Sequence, residues 1–416
     1  MQIDAERLQR DLMKNGRFGS VDVDDGHART VLTGTEADRR AREYFVSRLR
    51  DAGMDVRIDA VGNIVGRWVP ETADPDSRPV ATGSHLDSVP EGGIFDGPLG
   101  VYAGLEAVRA IQEADLPVRR PLEVVCFTEE EGQRFGVGAL GSAVASESLS
   151  IEEAHALTDE EGTTLKDALD SIGFLGEGRI RPEGWDSWLE LHIEQDSRLE
   201  SRDVPVGVVT TITGIARCAV SIVGEANHAG TTLMSQRTDA LTAASTVVTD
   251  IETAAFERTE SDAPTAVATV GSLDVSPNAP NVVPGRVDFT VDIRDISHES
   301  MMELVEFVRE RLQQLERERD VETSFSLPRY RKPRRMSDRC RQAVHESATE
   351  VETSAVDLHS GAAHDTMRLE PFTDVGLLFA PSKGGISHNP LEWTDWEDCA
   401  ECTQVLAGSL FALSNE

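Results

Sequence analysis

The sequence supports a two-domain α/β fold in which a catalytic α/β domain is interrupted by an inserted ferredoxin-like βαββαβ domain. Three observations predict it. At 416 residues the chain exceeds what one hydrophobic core usually serves. Its first half alternates short apolar strands with amphipathic helices, and acidic or His-bearing loops follow the strands. From about residue 213 the texture changes to a self-contained strand, helix, strand, strand, helix, strand run that breaks near "PRYRKPRR". The expected boundaries are 1–212 and 328–416 for the catalytic domain and 213–327 for the insert.

Each element has a local reason. "TEADRRAREYFVSRLRDA", residues 35–52, is an amphipathic helix with Thr35 as N-cap, Asp38 three residues on and Gly53 as the stop. "DVRIDAVGNIVGRWV" alternates, predicting a hairpin that turns near Gly62 and Asn63. "RPVATGSHLDSV" is a short apolar strand, "LGVYAGLEAVRAIQEA" a helix, and "PLEVVCFTEEEG" a second buried strand ending in acid. That order implies parallel pairing, and ligands of such sheets sit beyond the strand carboxyl ends. "SWLELHIEQ" is another strand, with His192 and Glu194 near its end. In the insert, strands are expected at 214–223, 265–275, 286–294 and 321–326, and helices at 238–256 and 299–316. A helix at 337–349 and a strand at 375–379 return the chain to the first texture.

Composition narrows the function classes. The net charge of −34 opposes binding to nucleic acid or to an anionic membrane surface. The acid is spread along the chain, and Lys occurs only at positions 14, 166, 332 and 383. Such a surface suits a high-salt cytoplasm, where screening shortens self-repulsion. No apolar run is long enough to span a bilayer, and the N-terminus lacks a signal-peptide pattern. The odd cysteine count argues against a disulfide framework. "CAEC" at 399–402 has redox or zinc spacing, but it lies in a helical run with no second cysteine pair, so buried helix residues are the simpler reading.

The stretch "GSHLDSVPEGGIFDGPLGV", 83–101, places His85, Asp87 and Asp96 in a glycine-rich loop. It is either a turn-rich surface loop or a metal site. His85, Asp96, the Glu129–Glu131 run, His192 and His388 all fall at strand ends or in glycine-rich loops. Carboxylate and imidazole without clustered thiolate suit zinc, manganese, cobalt or nickel, and one Asp can bridge a two-metal centre. Adjacent carboxylates in "TEEEG" would let one bind metal while its neighbour moves protons. Asp87 could orient the His85 imidazole. Taken singly, each piece has a bland alternative: a structural His, a solvated acidic face, a turn-forming Asp. His359 and His364 flank "SGAAHD" without local evidence that either is a ligand, and His27, His155, His298 and His345 read as surface residues.

In order, "GSHLDSVPEGGIFDGPLGV", "FTEEEGQRFG", "LELHIEQ", "NHAGTT", "PNAPNVVPG", "DIRD", "SGAAHD" and "GISHNPLE" resemble the amidase/hydantoinase/carbamoylase branch of the M20 metallopeptidase family. That branch includes N-carbamoyl-L-amino-acid hydrolases, β-ureidopropionases, and allantoate and ureidoglycolate amidohydrolases. The resemblance implies a phosphorylase/hydrolase-like catalytic domain, with the insert serving as dimerisation and lid domain. It implies two divalent ions per subunit, zinc first and manganese, cobalt or nickel as alternatives. His85 and His192 would hold one with the bridging Asp96, and Glu131 and His388 the other. It further implies Glu130 as general base, Asp87 as orienter of His85, and His228 polarising the scissile carbonyl from a partner subunit. Asn281 and Arg294 would hold a substrate carboxylate, and Gln195 and the Ser360–Gly361 loop would line the pocket. Without the resemblance, Arg294 reads as a surface ion pair within "DIRD". Asp196, Leu233 and Ala363 stand where the family pattern usually has Gly, Pro and Gly, which bears on substrate fit. The implied reaction is hydrolysis of N-carbamoyl-L-amino acids, with allantoate or ureidoglycolate as the alternative. A dipeptidase or aminoacylase, or a non-catalytic metal-binding protein, is the more distant reading.

Overall fold

The computed structural model describes residues 1–261 and 263–416. The chain divides into two compact units, Met1–Thr210 with Arg335–Glu416, and Thr211–Arg334.

The first unit is built on a mixed sheet. Its centre is four parallel strands in the spatial order Asp374–Ala380, Ser187–Ile193, Val80–His85, Leu122–Phe127. These strands are buried along nearly their whole length, as expected when both faces of a parallel sheet are covered. Antiparallel strands Ile64–Trp68 and Asp55–Ile58 extend one side, forming the expected hairpin. The Pro98–Glu113 helix is buried along most of its length between the sheet and the C-terminal helix Trp396–Leu413. Thr35 caps the Glu36–Asp51 helix by accepting the Asp38 N–H, and Gly53 follows it at φ 70°.

Parallel pairing has one consequence that governs the site. His85 registers against Phe127, and Phe379 against His192. The four strands therefore end along one edge, and the segments after them are delivered together.

The second unit has the order strand Gly214–Val223, helix Ala240–Ser261, strands Val267–Ser276 and Arg286–Asp295, helix His298–Arg319, and strand Glu322–Arg331. All pairings are antiparallel, and reading across the sheet the strands come second, third, first, fourth. That is the ferredoxin-like arrangement. Period-two burial on Arg286–Asp295 supplies Val287, Phe289, Val291 and Ile293 to a core shared with Val247, Ile251, Leu304 and Val308 from the helices.

All five cysteines are buried, including Cys399 and Cys402 within the last helix. Burial also pushes both of those thiols well above their usual range. We expect a thiol-specific dye to label none of them in the native protein and all five after guanidinium unfolding, which absorbance titration would check.

Candidate metal centre

Four strand ends converge on Asp96. His85 closes the Val80–His85 strand, His192 lies one residue before the end of Ser187–Ile193, the acid triplet follows Leu122–Phe127, and His388 follows Asp374–Ala380. Ligand atoms of His85, Asp96 and His192 lie within 4.8 Å of one another, and so do those of Asp96, Glu131 and His388. Asp96 belongs to both groups and divides its oxygens between them. Oδ1 lies 3.2 Å from His192 Nε2 and 3.8 Å from His85 Nε2. Oδ2 lies 3.3 Å from His388 Nε2, which in turn is 3.4 Å from Glu131 Oε2.

Backbone carbonyls orient the two buried imidazoles. His85 Nδ1 lies 3.2 Å from the Asp87 carbonyl, and His192 Nδ1 lies 3.0 Å from the Ile193 carbonyl. With Nδ1–H donating to those oxygens, each Nε2 faces Asp96, donating to it when the ring is protonated and offering a lone pair to a cation when the ring is neutral. Gly97, at φ 84°, permits this placement, since a Cβ there would lie 2.5 Å from the His85 ring. Asp87 acts on the acid turn as well as beside His85. Its carboxylate accepts the Glu130 and Glu131 N–H groups at 3.2 and 3.1 Å, while Oδ1 stands 3.6 Å from His85 Nδ1.

The acid turn is itself constrained. Glu129 sits at φ 57° and accepts the Arg134 and Phe135 N–H groups at 2.7 and 2.8 Å. It thereby secures the turn that carries Glu130 and Glu131. Gln195 and His388 also take positive φ, at 59° and 54°. Non-glycine residues in this region concentrate where a site demands them.

The donor set fits divalent cations. The converging atoms are carboxylate oxygens and imidazole lone pairs, and Glu131 Oε1 is buried with no hydrogen-bond partner. Burial pushes the Glu131 carboxyl up to about 7 and the Glu130 carboxyl well above its ordinary value. The hydrogen bond to Asp96 pushes the His388 imidazole up to about 9.

Glu130 Oε2 lies 3.9 Å from His85 Nε2, at the margin of the first group. Gln195 donates through Nε2 to Asp96 Oδ2 at 2.9 Å, and its buried Oε1 has no partner. Ser360 Oγ lies 3.0 Å from His364 Nε2 and also contacts the Ala362 carbonyl, and a Cβ built on Gly361 would meet no atom within 4 Å.

The remaining sequence candidates belong to the second unit. His228 is exposed, and its Nδ1 accepts the Gly230 and Thr231 N–H groups at 3.0 and 3.2 Å. The neutral ring then carries its proton on Nε2, as a donor. Asn281 is next to His228 in the fold, since its carbonyl accepts the Ala229 N–H at 2.9 Å. Arg294 donates through Nε to Asp292 at 2.7 Å.

Several residues at the centre carried no role in the sequence reading. Glu392 accepts the Phe95 and Asp96 N–H groups at 3.0 and 3.1 Å, and Ser387 Oγ lies 2.8 Å from Asp96 Oδ2. Both lie within "GISHNPLE", where the sequence reading singled out only His388. His364 is buried with its ring 4.6 Å from that of His192, although it stands outside both ligand groups. Glu190 accepts from Ser84 Oγ and from the Thr366 N–H and hydroxyl, tying two parallel strands to the segment after "SGAAHD". A buried Glu in mid-strand carries no periodic signature that would reveal it.

Gly97→Ala tests the approach of the loop to His85. It is expected to displace the imidazole and lower kcat about 100-fold, while the circular-dichroism spectrum stays that of the wild type.

A family model described as peptidase family M20/M25/M40 matches residues 81–412. The chain is 38% identical over 416 residues to an N-carbamoyl-L-amino acid amidohydrolase of Geobacillus stearothermophilus, covering 99% of each chain. It is 33% identical to an allantoate amidohydrolase of Bacillus subtilis strain 168, covering 94% of each. A crystal structure of an amidase of the hydantoinase/carbamoylase family from Burkholderia multivorans superposes with a TM-score of 0.91 at 34% identity, covering 100% of this chain and 99% of that one. By the extent of these matches, the chain belongs to peptidase family M20/M25/M40.

Proposed function

We propose that the chain is a metal-dependent amidohydrolase that cleaves the carbamoyl C–N bond of N-carbamoyl-L-amino acids. The observation that carries this reading is Asp96, shared between two ligand groups with Glu130 at their margin, in a chain alike from end to end to an enzyme named for that reaction.

His85, Asp96 and His192 would hold one divalent ion, and Asp96, Glu131 and His388 a second, with zinc the first choice over manganese, cobalt and nickel. Such ions supply Lewis acidity and make water a nucleophile near neutral pH. Glu130 takes a proton from the attacking water and returns it to the leaving nitrogen. The C–N bond breaks to give the free amino acid and carbamic acid, which decays to carbon dioxide and ammonia. Asp87 holds the acid turn and His85 in register. His228 donates Nε2–H to the carbonyl oxygen as charge develops there. Arg294 and Asn281 bind the substrate carboxylate, the former through a bidentate fork. Gln195 and the Ser360–Gly361 loop border the substrate.

In this reading the first unit is catalytic, and the second is a lid through which two copies pair. The exposed Val267 and Leu273 on an edge strand, with Phe256 on the neighbouring helix, support pairing there. The dispersed charge of −34 supports a high-salt cytoplasm. Allantoate or ureidoglycolate is the second reading, favoured by the relative named for allantoate.

Substrate class is tested by ammonia release at high salt from N-carbamoyl-L-amino acids, allantoate and ureidoglycolate. Release from allantoate alone would replace the first reading with the second. Glu130→Gln with metal bound is expected to lose turnover by about 10²–10⁴-fold, and full activity would refute the proton role. Metal analysis should find both ions weakened in Asp96→Asn, whereas His388→Ala keeps the ion held by His85 and His192.

A further inference from the structure

The segment from His27 to Thr33 lies ahead of residue 81, where the family match begins, and supplies none of the ligands. It is nevertheless tied to the loops that carry most of them. Arg29, fully buried, donates through Nε to the Gly93 carbonyl at 3.1 Å and through Nη2 to the Leu86 and Asp87 carbonyls at 3.0 and 3.3 Å. Its own N–H donates to the Gly92 carbonyl at 2.9 Å. Thr30 Oγ1 accepts the Glu91 N–H at 2.9 Å, and the Val31 N–H donates to Ser88 Oγ at 2.9 Å. The Thr33 carbonyl accepts from Arg134, whose N–H in turn binds Glu129. The His27 N–H donates to the Pro390 carbonyl at 2.7 Å, two residues past His388, and its ring stacks on Trp393.

Arg29 occupies a particular place in this set. Leu86 and Asp87 immediately follow His85, and Gly93 stands three residues before Asp96. One guanidinium therefore joins the His85 end of the glycine-rich loop to its Asp96 end. Glu392 grips the same loop from the other side through the Phe95 and Asp96 N–H groups. The fit is close, because a Cβ on Gly93 would lie 2.1 Å from a Glu392 carboxylate oxygen. Burying a guanidinium is costly, and here it sits in the field of Glu392, Asp87 and Asp96. Only a planar fork with several fixed donors can span these carbonyls; a lysine ammonium presents a single point.

We propose that Arg29, with Thr30 beside it, positions the metal centre by holding the His85 and Asp96 ends of the loop at the separation a shared cation requires. The inference rests on the metal-centre reading above. Cobalt-loaded wild type, Arg29→Lys and Thr30→Val would be mixed with excess chelator and the visible cobalt absorption followed in time, beside far-UV circular-dichroism melts. Arg29→Lys should lose cobalt about 10- to 100-fold faster than wild type and show an altered absorption band, while keeping the wild-type dichroism. Thr30→Val, which unties one loop contact at the surface, should show a smaller acceleration with an unchanged melt. Release from Arg29→Lys at the wild-type rate overturns the proposal. If Arg29→Lys does not fold, Thr30→Val decides, and release from it at the wild-type rate overturns the proposal equally. A wild-type chain that takes up no cobalt overturns the metal-centre reading and this inference together.

Discussion

One carboxylate organises the first unit. Asp96 is nearly excluded from water, yet its two oxygens face different imidazoles and two further hydrogen-bond donors. A buried carboxylate is tolerated only when such partners surround it. Burial alone would raise its pKa, but the hydrogen bonds from His192 and His388 hold it well below the usual carboxylate range. Parallel strand order gathers the strand ends, glycine lets the loop close on His85, Glu392 accepts the Asp96 backbone N–H, and Ser387 donates to the carboxylate.

The acid triplet shows how neighbouring residues of one type acquire different work. Glu129 turns back to cap the Arg134 and Phe135 amides, Glu131 faces His388, and Glu130 stands near His85. A turn at positive φ separates them, and Asp87 pins the two that point inward. The Asp87 carboxylate bonds the acid turn, while the nearest acceptor for His85 Nδ1 is the Asp87 backbone carbonyl. Division of labour among adjacent acids follows from backbone conformation, because the side chains are chemically the same.

The second unit solves a different problem. Its sheet covers one face with helices through strict alternation, while the loop carrying His228 stays exposed. Two amides donate to His228 Nδ1, so the neutral ring carries its proton on Nε2. Arg294, by contrast, is paired with Asp292.

Much of this was legible in the sequence. The alternation of the insert's strands, the Thr35 cap and the buried strands before each ligand all follow from spacing that a linear reading detects. The ligand candidates were legible through their joint occurrence, imidazole and carboxylate recurring in glycine-rich loops and at strand ends, since each alone has a bland alternative. Tertiary structure decided the rest. Arg29 sits in an ordinary-looking segment, and nothing local assigns a role to Glu190, His364 or Glu392 within their motifs; the significance of all four comes from partners up to hundreds of residues away. The sequence by itself determined the kinds of side chain available and the elements that carry them. Only the folded chain decided which oxygen of Asp96 meets which histidine, because that is set by strand register and by hydrogen bonds between distant loops, and neither has a local signature.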